Sequence, residues 1–203
     1  MKFSVNQKDL QNSLNYCQGV IEKRSTLPIL SNVLLEAKDA NLKITATDLD
    51  LIFIQNISNI EILEEGETTT SCSIMYDIVR KFNNEKKINF NLVSENKINL
   101  ESDKSSFNLN CLKASEFPIT EANFRENEFT LNSKKLLKLL NKCKFSVSND
   151  ETRHYLSGIF FHLTEVENKK YLTAVATDSH RMAISKSLLS DEINFEPIIL
   201  PKK

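Results

Sequence analysis

The sequence predicts an α+β protein made of a repeated domain, with two helices per complete copy packed on antiparallel sheets. Three observations carry this. The 203-residue chain superposes on itself when slid by 126 positions, two matching segments repeat apolar residues at helical spacing, and short alternating runs separated by turn residues fill the rest. The shift aligns Phe3 with Phe129, Asn6 with Asn132, Lys8 with Lys134, Leu10 with Leu136, Leu14 with Leu140 and Cys17 with Cys143. It also matches Leu30-Ser31 with Leu156-Ser157 and, after a four-residue insertion, Ala46-Thr47-Asp48 with Ala176-Thr177-Asp178. A register kept across a helix and two strands indicates a domain duplication with its boundary near residues 121–128. The first domain is expected to be complete over residues 1–124, and residues 125–203 to form the first half of a second.

Each copy opens on a short alternating strand (Phe3 and Val5; Phe129 and Leu131) that runs into a helix capped by Asn6 or by Asn132/Ser133. Leu10, Leu14 and Cys17 stand at i, i+4 and i+7, as do Leu136, Leu140 and Cys143, so each helix is expected to bury that face. Strands are predicted at Ser31 to Glu36, Leu42 to Thr47 and Leu49 to Ile57, and in the second copy at Leu156 to Leu163, Tyr171 to Ala176 and Arg181 to Ser185. A second strand-helix-strands unit completes the first domain. Its strand is Thr68 to Cys72, and Ile74, Ile78, Val79 and Phe82 mark the helix face. Strands then follow at Ile88 to Val93, Lys97 to Glu101 and Phe107 to Leu112. That makes two helices and about eight strands.

Composition narrows the function. The chain is 40% hydrophobic and 26% charged, and 26 Lys plus Arg against 27 Asp plus Glu give a net charge of -1. A strongly cationic nucleic-acid binder is excluded, while a local basic face is not. Gly19, Gly66 and Gly158 are the only glycines, too few and too scattered for a phosphate-cradling loop. There is no signal-peptide-like start and no long apolar run. The four cysteines (Cys17, Cys72, Cys111, Cys143) are too dispersed for zinc and read as reduced core thiols of a cytoplasmic protein.

The chemistry-bearing residues are few. His154 and His162 could share a strand face and His180 lies beside Asp178, but no metal-ligand spacing supports a metal site. Asp178-Ser179-His180 has the letters of a triad, yet sequence neighbours cannot line up as nucleophile, base and orienter. Thr47-Asp48 and Thr177-Asp178 recur at matching turns, where their side chains are expected to bond backbone amides. Lys134, Lys138 and Lys142, at i, i+4 spacing opposite the apolar face of their helix, make a basic stripe suited to a phosphate backbone. The first helix offers Gln7, Lys8, Gln11, Asn12 and Asn15 on its polar face, and the middle helix adds Arg80 and Lys81.

Met1-Lys2-Phe3, Arg24-Ser25-Thr26-Leu27-Pro28-Ile29-Leu30, Thr47-Asp48-Leu49, Arg153-His154-Tyr155-Leu156-Ser157-Gly158 and Val175-Ala176-Thr177-Asp178-Ser179-His180-Arg181-Met182 resemble the bacterial sliding clamp family, the β subunit of DNA polymerase III. The resemblance covers the whole chain. It implies the DNA clamp (processivity-factor) fold, a head-to-tail homodimeric ring of three domains per subunit, helices lining the hole, and no catalytic step. The implied partners are double-stranded DNA and, through clamp-binding peptides, the polymerase III α subunit and the clamp loader. No cofactor, metal or membrane is implied.

The family's DNA contacts carry over to Arg24, His154 and Tyr155, with Ser73 and Asp150 at two further contact positions where arginine and a neutral amide can occur. Its partner-peptide pocket maps onto Arg153, Leu156, Thr177, Ser179, His180, Arg181 and Met182, with Leu156 and Met182 as apolar wall and Thr177, His180 and Arg181 as polar rim. Ser179 replaces the customary glycine, which is expected to crowd the peptide or strain its turn. The family continues beyond Lys203 through the rest of the second domain and a third. The 203-residue chain by itself is therefore expected to leave sheet edges uncovered and not to close a ring. Two other classes stay open: a non-encircling module that binds DNA or partner peptides, and an enzyme, for which only Asp178-Ser179-His180 speaks.

Overall fold

The computed structural model describes residues 1–22, 26–83, 86–118, 130–150, 152–189 and 194–202. Contacts divide the chain into two compact units, Met1–Thr120 and Glu121–Lys203. The first runs β1 (Lys2–Asn6), α1 (Gln7–Cys17), β2 (Asn32–Lys38), β3 (Asn41–Thr47), β4 (Ile52–Ser58), β5 (Glu61–Glu64), β6 (Gly66–Ser71), α2 (Cys72–Val79), β7 (Lys87–Ser94), β8 (Lys97–Ser102) and β9 (Ser105–Leu112). Its strands form a nine-stranded sheet in the order β4-β3-β2-β6-β9-β8-β7-β1-β5.

This first unit is itself two halves that exchange their opening strands. β1 pairs antiparallel with β7 from Asn6↔Lys87 to Phe3↔Phe90, and β6 pairs with β2 in the same register, from Ser71↔Asn32 to Thr68↔Leu35. Each opening strand runs without a loop into its helix, so the crossed pairing sets α1 and α2 side by side. Gln7 donates from Nε2 to the Val79 carbonyl at 2.8 Å, Tyr76 from its hydroxyl to Asn15 Oδ1 at 3.3 Å, and Gln18 from Nε2 to Cys72 Sγ at 3.4 Å. Beneath the helices lies one core, in which Phe3 stacks on Phe90 at 4.7 Å among Leu10, Leu14, Cys17, Met75 and Val79.

The second unit repeats one half: α3 (Ser133–Cys143), β10 (Gly158–Val166), β11 (Lys169–Thr177), β12 (Met182–Leu188) and β13 (Ile198–Pro201), with strand order β12-β11-β10-β13. β13 takes the place of β6. Its pairing on β10, Gly158↔Pro201 through Phe161↔Ile198, has the register of Asn32↔Ser71 through Leu35↔Thr68. The duplication read from the sequence is therefore present at the level of individual strand pairs.

Several expected details differ. The opening strand of the second copy is not formed in the described residues; Phe129 lies outside them and Leu131 has no strand partner among them. In the first unit β1 is held between β7 and β5, and no described strand of the second unit stands in either place. Leu49 lies in a turn at φ 81°, with β4 starting only at Ile52, and β5 is an additional short edge strand. Asn6 makes no side-chain cap and donates instead to Asp9, whereas Asn132 does cap α3, accepting from the amides of Lys134 and Lys135. Gln7 belongs to the core rather than to the polar face.

The helix faces shift too. α2 buries Cys72, Met75 and Val79 and leaves Ile74 exposed, because its phase is set by the strand exit at Ser71. α3 buries Leu139 and Cys143, while Leu136 and Leu140 are only half-buried; no second described helix covers them as α2 covers Leu10 and Leu14. All four cysteines are buried and unbridged. Burial pushes the Cys111 and Cys143 thiols up, and contact with Cys72 does the same for Cys17, so they stay protonated. No described helix is long and apolar enough to cross a membrane.

Gly158 marks the tightest approach in the second unit, since a Cβ there would lie 2.5 Å from the Leu200 carbonyl oxygen and 2.6 Å from Ile199 Cγ2. The carbonyl cannot move without breaking the β10–β13 ladder. Gly158→Ala is expected to destabilise the second unit by about 2 kcal/mol, with faster amide exchange in β13 than elsewhere. Uniform exchange and an unchanged melting temperature would contradict this packing.

Candidate functional site

The β11–β12 connection is built by its own side chains. Thr177 Oγ1 donates to the Arg181 carbonyl at 2.8 Å and accepts from the Ser179 amide at 3.2 Å, while Asp178 Oδ1 accepts from the amides of His180 (3.1 Å) and Arg181 (3.0 Å). The β3–β4 connection repeats this bond for bond. Thr47 Oγ1 donates to the Leu51 carbonyl and accepts from the Leu49 amide, and Asp48 Oδ1 accepts from the Asp50 and Leu51 amides. The third residue of each turn has positive φ, 81° at Leu49 and 77° at Ser179. The recurring Thr-Asp pair thus acts on the backbone, as expected. Asp178 is committed to the backbone and to Arg181 Nε, which it meets at 2.9 Å through Oδ2, rather than to the His180 ring that a triad requires. These bonds, the His180 amide foremost, hold its carboxyl below the usual range.

A second segment, residues 148–150 and 152–157, faces this turn. Asp150 Oδ1 accepts from the Thr152 hydroxyl (2.6 Å) and amide (3.0 Å), and Oδ2 accepts from Arg153 Nε at 2.8 Å. The guanidinium then reaches across to the turn, Nη1 donating to Ser179 Oγ at 2.9 Å. His154–Leu156 form a 3-10 turn that leaves His154 and Tyr155 exposed, Tyr155 by 67%, and Leu156 half-buried. Lys202 donates from Nζ to Asn149 Oδ1 and so ties the end of β13 to this loop.

The structure thus brings Arg153 and Leu156 together with Thr177, Ser179, His180, Arg181 and Met182 on one surface, with Met182 64% exposed. It adds a residue that sequence reasoning passed over: Phe145, on the turn after α3, lies 5.6 Å from the Arg181 guanidinium carbon and is exposed. A bulky aromatic in an otherwise polar connection was the signal available. Two cavities of the second unit lie elsewhere: about 70 Å³ beside Leu131, Lys135 and Leu189, and about 120 Å³ among Leu136, Phe161, Phe195 and Leu200.

The remaining candidates are scattered. Arg24 lies outside the described residues. Ser73 is half-buried and its hydroxyl donates to Gln18 Oε1 at 3.3 Å, which makes it part of the α1–α2 contact. Asp150 is engaged by Thr152 and Arg153, as above. Lys134, Lys138 and Lys142 are all exposed along α3. His154 is on the 3-10 turn and His162 on β10, stacked at 4.9 Å on Phe160, so the two do not share a strand face. Among the described residues no three His, Cys, Asp or Glu side chains converge as a metal site would require.

The Thr152 bonds, reinforced by Arg153, depress the Asp150 carboxyl from its ordinary 3.8 to about 2. A depressed carboxylate contributes stability above its unfolded value, and the contribution fades as pH falls from about 4 toward 2. NMR titration of the Asp150 carboxyl is expected to give a midpoint near 2, raised more by Thr152→Val than by Arg153→Gln. A midpoint at the ordinary value would mean that the network is not formed in solution.

The profile of the DNA polymerase III β subunit N-terminal domain matches residues 1–121, and that of the same subunit's central domain matches residues 130–203. Curated beta sliding clamps align along the whole chain: that of Caulobacter vibrioides is 31% identical over 206 residues, that of Rickettsia felis 34% over 203, and that of Escherichia coli K12 32% over 203. The chain spans 55%, 52% and 54% of them, about half the length of each. A solved sliding clamp from Bartonella birtlesii bound to griselimycin superposes with a TM-score of 0.93 at 33% identity, covering 100% of this chain and 54% of that one. Caulobacter crescentus pol III beta gives 0.92 at 31%, with 100% and 54% covered. With both domain profiles matched in order and the fold shared throughout, the chain belongs to the DNA polymerase III β subunit family.

Proposed function

We propose that this chain is the N-terminal part of a sliding clamp, a ring-forming processivity factor that encircles duplex DNA in the cytoplasm and tethers the replicative polymerase, with no catalytic step of its own. The in-order match to the N-terminal and central domains of the β subunit carries this reading. In the same reading residues 1–124 make the first clamp domain and residues 125–203 the first half of the second. A head-to-tail homodimer closes the ring, while polymerase and clamp loader dock through short, partly apolar peptides.

The surface chemistry suits both partners. A near-neutral chain with three exposed lysines along α3 can hold a phosphate backbone loosely without reading bases, as a sliding ring requires. Exposed His154 and Tyr155 add two flat rings. On the other surface, the apolar Leu156, Met182 and Phe145 lie among Arg153, Thr177, Ser179, His180 and Arg181, a mixture that suits a peptide with apolar anchors and hydrogen-bonding backbone.

Titration of a short duplex is expected to give an affinity that falls with salt. Replacing Lys134, Lys138 and Lys142 by alanine should lower the log–log salt slope by roughly 2 to 3. A slope unaffected by the three lysines would remove α3 from the DNA surface. Griselimycin, the ligand of the Bartonella clamp, is the probe for the other site. Added to isotope-labelled chain, it is expected to shift amide signals in residues 152–157 and 177–182. Shifts confined to other segments would overturn the peptide-site assignment.

A further inference from the structure

We propose that Ser179 is a positioning residue: its hydroxyl, together with the Asp150 carboxylate, holds the Arg153 guanidinium across the candidate peptide site, with its outer edge set to meet an acceptor oxygen of a bound peptide. The inference rests on the peptide-binding reading of this surface.

The turn does not need the serine side chain. Thr177 and Asp178 make every bond that closes it, and the backbone at Ser179 sits at φ 77°, where an L side chain is disfavoured and glycine is at ease. A hydroxyl kept at that position therefore calls for a reason outside the turn. The first unit supplies the control. Its matching turn carries Leu49 at φ 81°, and the residue aligned with Arg153 is Leu27. Both are exposed apolar side chains, yet the turn is bonded identically. The turn forms without an Arg–Ser pair, so the pair in the second unit is an addition to it.

The geometry shows what it adds. Arg153 is fixed at two different nitrogens by residues from two segments, Nε by Asp150 at 2.8 Å and Nη1 by Ser179 at 2.9 Å. Two anchors set the plane of a guanidinium, where one would leave it free to turn. Among the described residues Nη2 has no partner. A second Asp-x-x-Arg pair, Asp178 with Arg181 at 2.9 Å, orients its own guanidinium over Phe145 in the same way. Ser179 lies between Asp178 and Arg181 in the β11–β12 turn and so couples the two pairs. Long cationic side chains lose rotamer freedom when a ligand fixes them, and prior orientation removes part of that cost.

The test uses the 203-residue chain and its Ser179→Gly and Ser179→Ala variants, with griselimycin as probe. Both variants are expected to bind roughly threefold to tenfold more weakly, with faster solvent exchange of the Arg153 Nε proton. Ser179→Gly should melt no lower than the parent, since it relieves the positive φ. Stability and affinity would then move apart, which a merely structural serine cannot produce. Unchanged or tighter binding in both variants, while the parent binds at residues 152–157 and 177–182, overturns the positioning role and leaves the peptide site standing. Weaker binding of Ser179→Gly together with a lower melting temperature overturns it in favour of a structural role. Absence of binding by the parent overturns both readings.

Discussion

The crossed pairing of opening strands is the constraint on which the rest depends. An isolated β-α-β-β-β half leaves its first strand and one helix flank without partners, and hydrogen-bonding groups left open in this way are costly when buried. In the first unit two halves solve the problem for each other, β1 completing the ladder of β7 and β6 that of β2, in one shared register. Because each helix follows its strand directly, that register also dictates where α1 and α2 lie and which residues meet between them. The buried Gln7, the Cys17–Cys72 contact and the Ser73–Gln18 bond all follow from it.

The same logic organises the second unit. β13 occupies the place of β6 on β10, so that half of the exchange is made, and the Gly158–Leu200 approach shows how closely it is seated. The counterpart of β1 has no described partner, and Leu131 carries no ladder there. Leu136 and Leu140 stay half-buried for the related reason that no described helix packs on them, although Leu10 and Leu14 at the aligned positions are fully covered.

On this duplicated frame, the two copies differ in the side chains at and around the Thr-Asp turn. Both copies build a Thr-Asp turn at positive φ, but where the first carries Leu49, Leu51 and Ile52, the second carries Ser179, Arg181 and Met182. At an aligned position outside the turn, Leu27 in the first copy becomes Arg153 in the second. Apolar side chains have given way to a hydrogen-bonded network whose individual exposed ion pairs add little stability. What the network supplies is orientation, with both arginines held by aspartates three residues upstream.

Periodicity and self-similarity, both local properties, were legible in the sequence alone. The α+β class, the duplication, the helices and the Thr-Asp turns follow from spacing, since helical periodicity and an Asx-type turn are decided within a few residues. The lysine stripe of α3 was read from spacing, but the residues of the candidate peptide site were named only through resemblance, because nothing in the spacing of Arg153 and Ser179 says that they touch. Tertiary structure decided which strand pairs with which, and hence that Gln7 is core and that Met75 and not Ile74 faces inward. It also decided that Arg153 spans 26 positions of sequence to reach Ser179. Contacts of that kind depend on sheet register between segments far apart in the chain, which hydrophobic spacing within one segment does not encode.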